Sequence, residues 1–252
     1  MSLHSPHADF AWAYNKHWGP YANQAFPNIE KLILRHLPKK ARILDLCCGT
    51  GQLAHLLSER GYQITGIDSS GEMIRFANAN APNVDFIVQD ARYFRFSPIY
   101  DAVISTYDSL NFITDAKELA GTFQNVFASL KEGGFFLFDL NTETGYLDHW
   151  DDGTFDIIED DHVCIVQTSY DYSQLPRFDV TIFRLLDGWQ RSDLTLFQRY
   201  YTEEEVYHLL EDAGFTGTGI YGYNDETGLG ELNPESERMY FVCQKPQIKC
   251  RQ

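Results

Sequence analysis

The strongest constraint on the fold is a regular alternation between short apolar runs and stretches of helical periodicity in the first part of the chain. Apolar residues recur at helical spacing between the runs, as in Leu53 and Leu57 and again in Leu119, Phe123 and Val126. Strands that alternate with helices of this length are joined by right-handed crossovers and form a parallel sheet. We therefore predict a doubly wound α/β sheet whose first five strands span residues 42–46, 62–68, 84–90, 100–106 and 135–141.

The pattern changes in the second part of the chain. From about residue 150 to 199 the segments read as consecutive strands without a helical period, and Asp187-Gly188 is a hairpin turn signal. Helical periodicity returns after a capping box formed by Thr202 and Glu205, and two strand-like runs close the chain. We predict one domain over residues 1–252 that carries a small antiparallel β insertion, with a polar loop at 224–237.

Charge and composition exclude several classes of partner. The chain of 252 residues has a net charge of −16, which repels nucleic-acid phosphates and anionic lipid. No apolar run approaches the roughly 20 residues that a membrane span needs, and the first residues lack the pattern of a signal peptide. The five cysteines are odd in number and have no repeated spacing, so we expect neither a disulfide framework nor a metal site. We therefore expect a cytoplasmic protein that binds neither nucleic acid nor membranes.

A glycine-rich turn follows the first strand and predicts a cofactor site. Gly49, Gly51 and Ala54 match the Gly-x-Gly-x-x-Ala fingerprint of dinucleotide-binding proteins, with Asp68 at the end of the next strand. However, Asp45 precedes Gly49 by four residues, and its carboxylate would repel a pyrophosphate at this turn. The same carboxylate would attract the ammonium and sulfonium of S-adenosylmethionine. We favour that cofactor and keep an NAD-dependent oxidoreductase as the alternative.

The segment around this turn also resembles a known family. The run ILDLCCGTG, residues 43–51, is similar to the first motif of class I S-adenosylmethionine-dependent methyltransferases, Asp/Glu-x-Gly-x-Gly-x-Gly. The match lies in Asp45, Gly49 and Gly51, whereas Cys47 stands where the family more often has glycine. We expect a thiol to be tolerated there if the residue has an ordinary φ. The resemblance implies a Rossmann-like, seven-stranded sheet with an antiparallel last strand, and an enzyme that methylates a small-molecule acceptor.

The resemblance also implies roles for individual residues on the cofactor side. Asp68 would bind the ribose hydroxyls, since one carboxylate can accept two hydrogen bonds from a vicinal diol. Met73 would lie on the adenine or simply pack in the core. Tyr14 and Trp18 would belong to a helix that closes over the cofactor, or would pack on the core. The predicted cofactor-binding residues are Tyr14, Trp18, Asp45, Cys47, Gly49, Gly51, Asp68, Ser69, Met73, Asp90, Ala91 and Thr106.

The acceptor side is predicted from position alone. Ligands of doubly wound folds gather at the carboxyl ends of the strands, which indicates Tyr107, Asp108 and Asn111 as candidate catalytic residues. Asp108 is either a base or amine anchor, or the N-cap of a short turn. The insertion is interpreted as a substrate lid, with a homodimer contact as the alternative. Enzymes that methylate adenine or cytosine in nucleic acid carry proline-containing motifs after the fourth strand, and this chain lacks them. We therefore expect a small-molecule acceptor that is methylated at nitrogen or oxygen. A cofactor-binding protein without transfer activity is the other hypothesis.

Overall fold

The computed structural model describes residues 5–150, 153–170 and 174–247, and no side-chain description covers residues 149 and 150. The strands are β1 Arg42–Leu46, β2 Gln63–Asp68, β3 Asp85–Val88, β4 Tyr100–Ser105, β5 Leu130–Asn141, β6 Thr154–Glu159, β7 His162–Ser169, β8 Arg177–Leu185, β9 Trp189–Phe197, β10 Thr216–Asn224, β11 Gly228–Glu231 and β12 Arg238–Gln244. The α-helices are α1 Pro6–Ala13, α2 Tyr21–Leu32, α3 Gln52–Glu59, α4 Gly71–Asn80, α5 Ala116–Ser129, α6 Glu143–Trp150 and α7 Glu203–Ala213.

A central sheet of eight strands has the order β11-β10-β12-β5-β4-β1-β2-β3. The five strands from β5 to β3 are parallel, whereas β12 runs antiparallel to both β5 and β10. Apolar clusters cover both faces of the sheet, as the crossover helices of a doubly wound fold require. The predicted doubly wound sheet with an antiparallel last strand is confirmed. The strand order reverses between β1 and β4, and ligands bind at such a switch point.

The sheet contains one strand more than the seven that were predicted. β11 lies inside segment 224–237, which the sequence analysis assigned to a loop, and it pairs antiparallel with β10 at the sheet edge. The strand is only four residues long and includes two glycines, so it carries no apolar alternation from which it could have been predicted. Leu229 packs partly on the core and fixes its position.

The insertion is a second, separate sheet with the order β6-β7-β8-β9, and every neighbouring pair is antiparallel. The predicted antiparallel insertion and the turn at Asp187-Gly188 are confirmed, because that turn joins β8 to β9. Helix α6, which leads from β5 into the insertion, was not predicted. Among the residues of α6 whose side chains are described, Tyr146 is the only fully buried aromatic one, and one such residue gives no helical period.

The N-terminal helix α1 packs on the insertion. Ala13 lies in one apolar cluster with Cys164, Val166, Val180 and Ile182 of the small sheet. Among the helices in the described part of the chain, none is long and apolar enough to cross a membrane.

Polar contacts fasten α1 to the insertion as well. Asp9 is fully buried and accepts a hydrogen bond from Arg184 Nη1 at 2.8 Å and another from the Ser192 hydroxyl. About two turns further along the chain, His17 Nε2 lies 2.8 Å from His162 Nε2. The N-terminal segment and the insertion are therefore held together as one structure above the central sheet.

Candidate functional site

A cavity of about 530 Å³ opens at the carboxyl ends of the parallel strands, between the central sheet and the insertion. This volume is typical of small-molecule sites. The loops after β1, β2 and β3 form one wall, and side chains of α1 and of the insertion form the opposite wall. The position is the switch point that the strand order defines.

The turn after β1 requires residues that tolerate left-handed backbone conformations. Gly49 has φ +52° and Gly51 has φ +82°. Cys47 has φ +62°, so the ordinary φ on which the predicted tolerance of a thiol depended is not present at this position. A non-glycine residue is strained there, which gives a physical reason for the glycine in the family motif. Cys47 and Gly49 face the cavity, whereas Gly51 begins α3 and makes room for Ala77 of α4.

Asp45 lies beneath this turn. The carboxylate is 2% exposed, and in the described part of the chain its Oδ2 atom has no hydrogen-bond partner. Burial, together with the nearby charge of Asp68, raises the pKa of Asp45 to about 7. A buried carboxylate oxygen without a partner is unfavourable unless a cation or a donor compensates it. This orphaned atom fits a positively charged ligand group close to the turn.

Asp68 holds the turn in place from the end of β2. Its Oδ2 accepts a hydrogen bond from the Gly49 amide at 3.0 Å, and its Oδ1 accepts one from the Ser70 amide at 2.9 Å. Burial raises the pKa of this carboxyl. Each carboxylate oxygen can accept a further bond, so the side chain remains able to bind a diol in the cavity. Ser69 and Met73 line the cavity beside it.

Asp90 and Ala91, after β3, form the next part of the same wall. Arg92 binds the Asp90 carboxylate, with 2.7 Å between Nη2 and Oδ2, and it also binds Glu118 at 3.0 Å. Hydrogen bonds from Arg92 lower the pKa of Asp90. The carboxylate is therefore fixed in its ionised, hydrogen-bond-accepting form.

Tyr14 and Trp18 both face the cavity from the turn that follows α1. The Tyr14 ring lies directly over Gly49, where a Cβ atom would come within 3.3 Å of its Cε1. The structure thus brings these aromatic side chains to the glycine turn. Thr106, in contrast, is not among the described residues that face the cavity, and neither is Asp45.

The loop after β4 is held by a buried carboxylate that the sequence analysis missed. Asp139 of β5 accepts hydrogen bonds from the backbone amides of Tyr107 at 2.7 Å and Asp108 at 3.1 Å. Both loop residues have left-handed backbones, with φ +63° and φ +48°. Asp139 is fully buried, and burial raises its pKa. These two bonds offset the backbone strain that places Tyr107 and Asp108 at the cavity.

Arg238, also missed, completes this group. Its Nη1 lies 2.7 Å from Asp108 Oδ1 and 2.8 Å from Asp139 Oδ2. It is the first residue of β12, opposite Asn141 at the end of β5. Arg238 could have been located only from the sheet topology. β12 is the antiparallel neighbour of β5, so it begins at the edge where the parallel strands end.

Gln198 links the insertion to the same loop. Its Nε2 donates to Asp108 Oδ2 at 2.6 Å, and its Oε1 accepts from Tyr146 at 2.8 Å and from Asn141 at 3.2 Å. Asp108 does precede a short 3₁₀ turn, but its side chain makes no capping bond there. Asp108 is thus the N-cap residue by position, as one of the two interpretations predicted, but its carboxylate does not cap the turn and lines the cavity instead.

Asn111 does not lie at the cavity. It is fully buried, its Nδ2 donates to the Arg199 carbonyl at 2.7 Å, and its Oδ1 accepts from the Asn141 amide at 3.1 Å. Both polar atoms of the amide are thus used to join the core to the end of the insertion. This arrangement gives no support to a catalytic role for Asn111.

Fold and site together define a class of protein. A doubly wound sheet with a glycine turn at its switch point is built to bind a nucleotide-like cofactor, and the surrounding carboxylates favour a cationic one. Within the described chain, no group of three or more His, Cys, Asp and Glu residues is placed to hold a metal ion. The class is that of S-adenosylmethionine-binding proteins with a doubly wound fold.

Comparisons with known proteins identify the family. Residues 43–134 match the family described as a methyltransferase domain. YqeM of Bacillus subtilis, named as a methyltransferase, is 34% identical over 221 residues, which cover 85% of this chain and 88% of the relative. The chain belongs to the class I S-adenosylmethionine-dependent methyltransferases. The predicted enzyme class and cofactor are confirmed over the dinucleotide alternative.

Two further similarities are informative. An N,N-dimethyltransferase of Streptomyces venezuelae, named for dTDP-3-amino-3,4,6-trideoxy-α-D-glucopyranose, is 30% identical over 115 residues, covering 45% of this chain and 48% of the relative. The structure of CalS10, an amino pentose methyltransferase of Micromonospora echinaspora with S-adenosylmethionine bound, has a TM-score of 0.67 at 20% identity, covering 90% of this chain and 91% of that one. The structural similarity confirms the fold.

Proposed function

We propose that this enzyme methylates a nitrogen or oxygen atom of a small molecule that is enclosed between the central sheet and the insertion. The observation that carries this proposal is that one cavity of about 530 Å³ has the cofactor motifs on one wall and the insertion on the other. An acceptor that enters beneath the insertion is brought against the cofactor, and positioning of this kind supplies a large part of the catalysis of a displacement reaction. The insertion thus serves as a substrate lid.

The roles on the cofactor side are proposed from the resemblance to the family, and the positions of these residues at the cavity support them. Asp68 binds the ribose hydroxyls, Asp90 and Ala91 bind the adenine, and Met73 lies on the adenine face. The orphaned oxygen of Asp45 attracts the ammonium of the methionyl group from beneath the turn. Bound S-adenosylmethionine supplies an activated methyl group, so that an acceptor lone pair forms a bond to carbon while the carbon–sulfur electron pair stays on sulfur.

The residues of the chain then have three tasks at the acceptor end. Tyr14 and Trp18 cover the reacting groups and exclude water. Asp108 orients the acceptor and receives the proton that a nitrogen or oxygen nucleophile releases. Arg238 and Gln198 hold Asp108 in place, since each binds one oxygen of its carboxylate. The Streptomyces venezuelae relative is named for N,N-dimethylation, which favours nitrogen over oxygen as the acceptor atom.

Calorimetric titration tests the cofactor side of the proposal. We expect S-adenosylhomocysteine to bind and NAD⁺ to give no heat. The Asp68→Ala variant should bind S-adenosylhomocysteine more weakly by about 1.5–3 kcal/mol, because a hydrogen bond to a charged acceptor is lost. Asp85→Ala removes an exposed carboxylate from the beginning of β3 and is the matched control. Equal affinity of the two variants would place the ribose elsewhere.

A further inference from the structure

We propose that the methyl acceptor is a flat, apolar amine without a phosphate group. This inference rests on the proposed function, because it takes the part of the cavity beneath the insertion as the acceptor site. It is carried by two features of the cavity: the apolar side chains on the wall opposite the cofactor motifs, and the pairing with carboxylates of every arginine that lines the cavity in the described chain.

The apolar wall comes from three different elements. Phe155, Phe178 and Leu196 face the cavity from the insertion, Phe10 faces it from α1, and Phe112 faces it from the loop after β4. Phe155 and Phe112 are 43% and 42% exposed, which is unusual for phenylalanine beside a concave site. Apolar surface that stays uncovered in a cavity is typical of a site for an apolar ligand.

The charges of the arginines that line the cavity are already balanced by carboxylates. Arg238 is shared between Asp108 and Asp139, and Arg92 is shared between Asp90 and Glu118. Each guanidinium is therefore matched by two carboxylates. Recognition of a phosphate needs arginine, lysine or backbone donors that are free to form charge-assisted bonds. A nucleotide-linked sugar, the acceptor type named for the Streptomyces venezuelae relative, would bring a diphosphate into this acidic environment.

The surplus of acid at the cavity favours a cationic amine. Asp68 and Asp108 face it directly, and the buried Asp45 and Asp139 lie behind them. An ammonium group on the acceptor is attracted to Asp108, which is the only carboxylate that lines the acceptor end within the described chain. The ammonium first passes one proton to the Asp108 carboxylate, which frees the nitrogen lone pair. That lone pair then forms the bond to the methyl carbon, and the electron pair of the broken carbon–sulfur bond remains on sulfur. The products are a methylated ammonium, a neutral thioether and a protonated Asp108, which releases its proton to solvent.

The test compares probes of matched shape and different charge. The enzyme is saturated with S-adenosylhomocysteine at about pH 8, where histidine is neutral, and titrated with tryptamine, phenethylamine, indole-3-acetate and dTDP. We expect at least one of the two amines to bind about tenfold more tightly than indole-3-acetate, and dTDP to give no binding. Binding of dTDP or of indole-3-acetate as tight as that of the amines would overturn the proposal, as would the failure of both amines to bind.

A variant pair assigns the selectivity to Asp108. Asp108→Asn removes the negative charge and releases Arg238 from one partner, so amine affinity should fall about tenfold while indole-3-acetate gains affinity. Asp156→Asn removes an exposed charge from β6 and is the matched control. Equal amine affinities in the two variants would contradict the proposal. Failure of the wild-type enzyme to bind S-adenosylhomocysteine would instead refute the proposed function, so the two failures are distinguishable.

Discussion

At the scale of single residues, Asp45 is the most informative group of the site. One oxygen of this buried carboxyl has no hydrogen-bond partner in the described chain. Because burial disfavours the ionised form, the pKa of Asp45 is raised to about 7. A cation that binds nearby shifts this balance towards the carboxylate. We therefore expect the protonation of Asp45 to be coupled to cofactor binding.

The first prediction follows from the pKa of about 7 that burial gives to Asp45. Only the ionised carboxylate attracts the ammonium of the cofactor, so affinity for S-adenosylhomocysteine should be full above this pH. Below it, affinity should fall by at most about tenfold per pH unit as the carboxyl takes up its proton. Calorimetry from about pH 5.5 to about pH 8.5 measures the profile. The Asp45→Asn variant should bind weakly with this step removed, and a flat wild-type profile would contradict the prediction.

The second prediction concerns the backbone at Cys47. Its φ of +62° penalises any side chain with a Cβ atom, so Cys47→Gly should be more stable than Cys47→Ala by about 1 kcal/mol. Cys48 lies outside the left-handed region, and there the order should be reversed, because glycine loses more entropy on folding than alanine. Urea unfolding of the four variants measures both differences. If the glycine and alanine variants had the same order of stability at both positions, the backbone at Cys47 would not be strained.

At the scale of whole elements, the α1 contact with the insertion is the feature that sequence patterns could not predict. β1 to β5 were predicted because parallel strands that are buried on both faces read as apolar runs. α6 and β11 left no such signal, since one is nearly devoid of apolar periodicity and the other is a short, glycine-containing edge strand. The buried pair of Asp9 and Arg184 joins segments that are distant in sequence, and charged residues are normally read as surface residues.

The third prediction tests this pair. Arg184→Ala leaves the Asp9 carboxylate buried without its cation, so the free energy of unfolding should fall by about 3 kcal/mol. Arg177→Ala in the same sheet breaks an exposed pair with Asp179 and should cost less than about 1 kcal/mol. Urea unfolding gives the two values, and hydrogen exchange should increase mainly in α1 and the insertion. Equal costs would mean that the Asp9 pair does not fasten the helix.

At the scale of the whole molecule, the site is assembled from segments spread along nearly the full chain. The cofactor wall could be predicted, because its residues lie within short motifs at the ends of consecutive strands. Asp139, Arg238 and Gln198 could not, since their role depends on which strands become neighbours and on how the insertion returns to the core. Asn111 was selected by its position after β4, but its side chain is turned into the core.

The fourth prediction depends on the charge of the entire chain. A net charge of −16 produces a field that repels phosphate backbones, so a mobility-shift titration with DNA and RNA should show no binding even at about 50 mM salt. The same protein sample with S-adenosylhomocysteine serves as the control for correctly folded enzyme. A shifted band that disappears as salt is added would return nucleic acid to the list of acceptors.

The contact between α1 and the insertion also sets an order of events during translation. Asp9 leaves the ribosome 175 residues before Arg184, which at about 5–20 residues per second corresponds to a delay of about 10–35 s. During this interval the strands β1 to β5 and their helices are already synthesised, including α4, which contacts α1, while Ala13 still lacks its apolar partners in the insertion. The N-terminal segment therefore cannot complete its packing until the second sheet emerges, and the candidate cavity gains its second wall only at that stage.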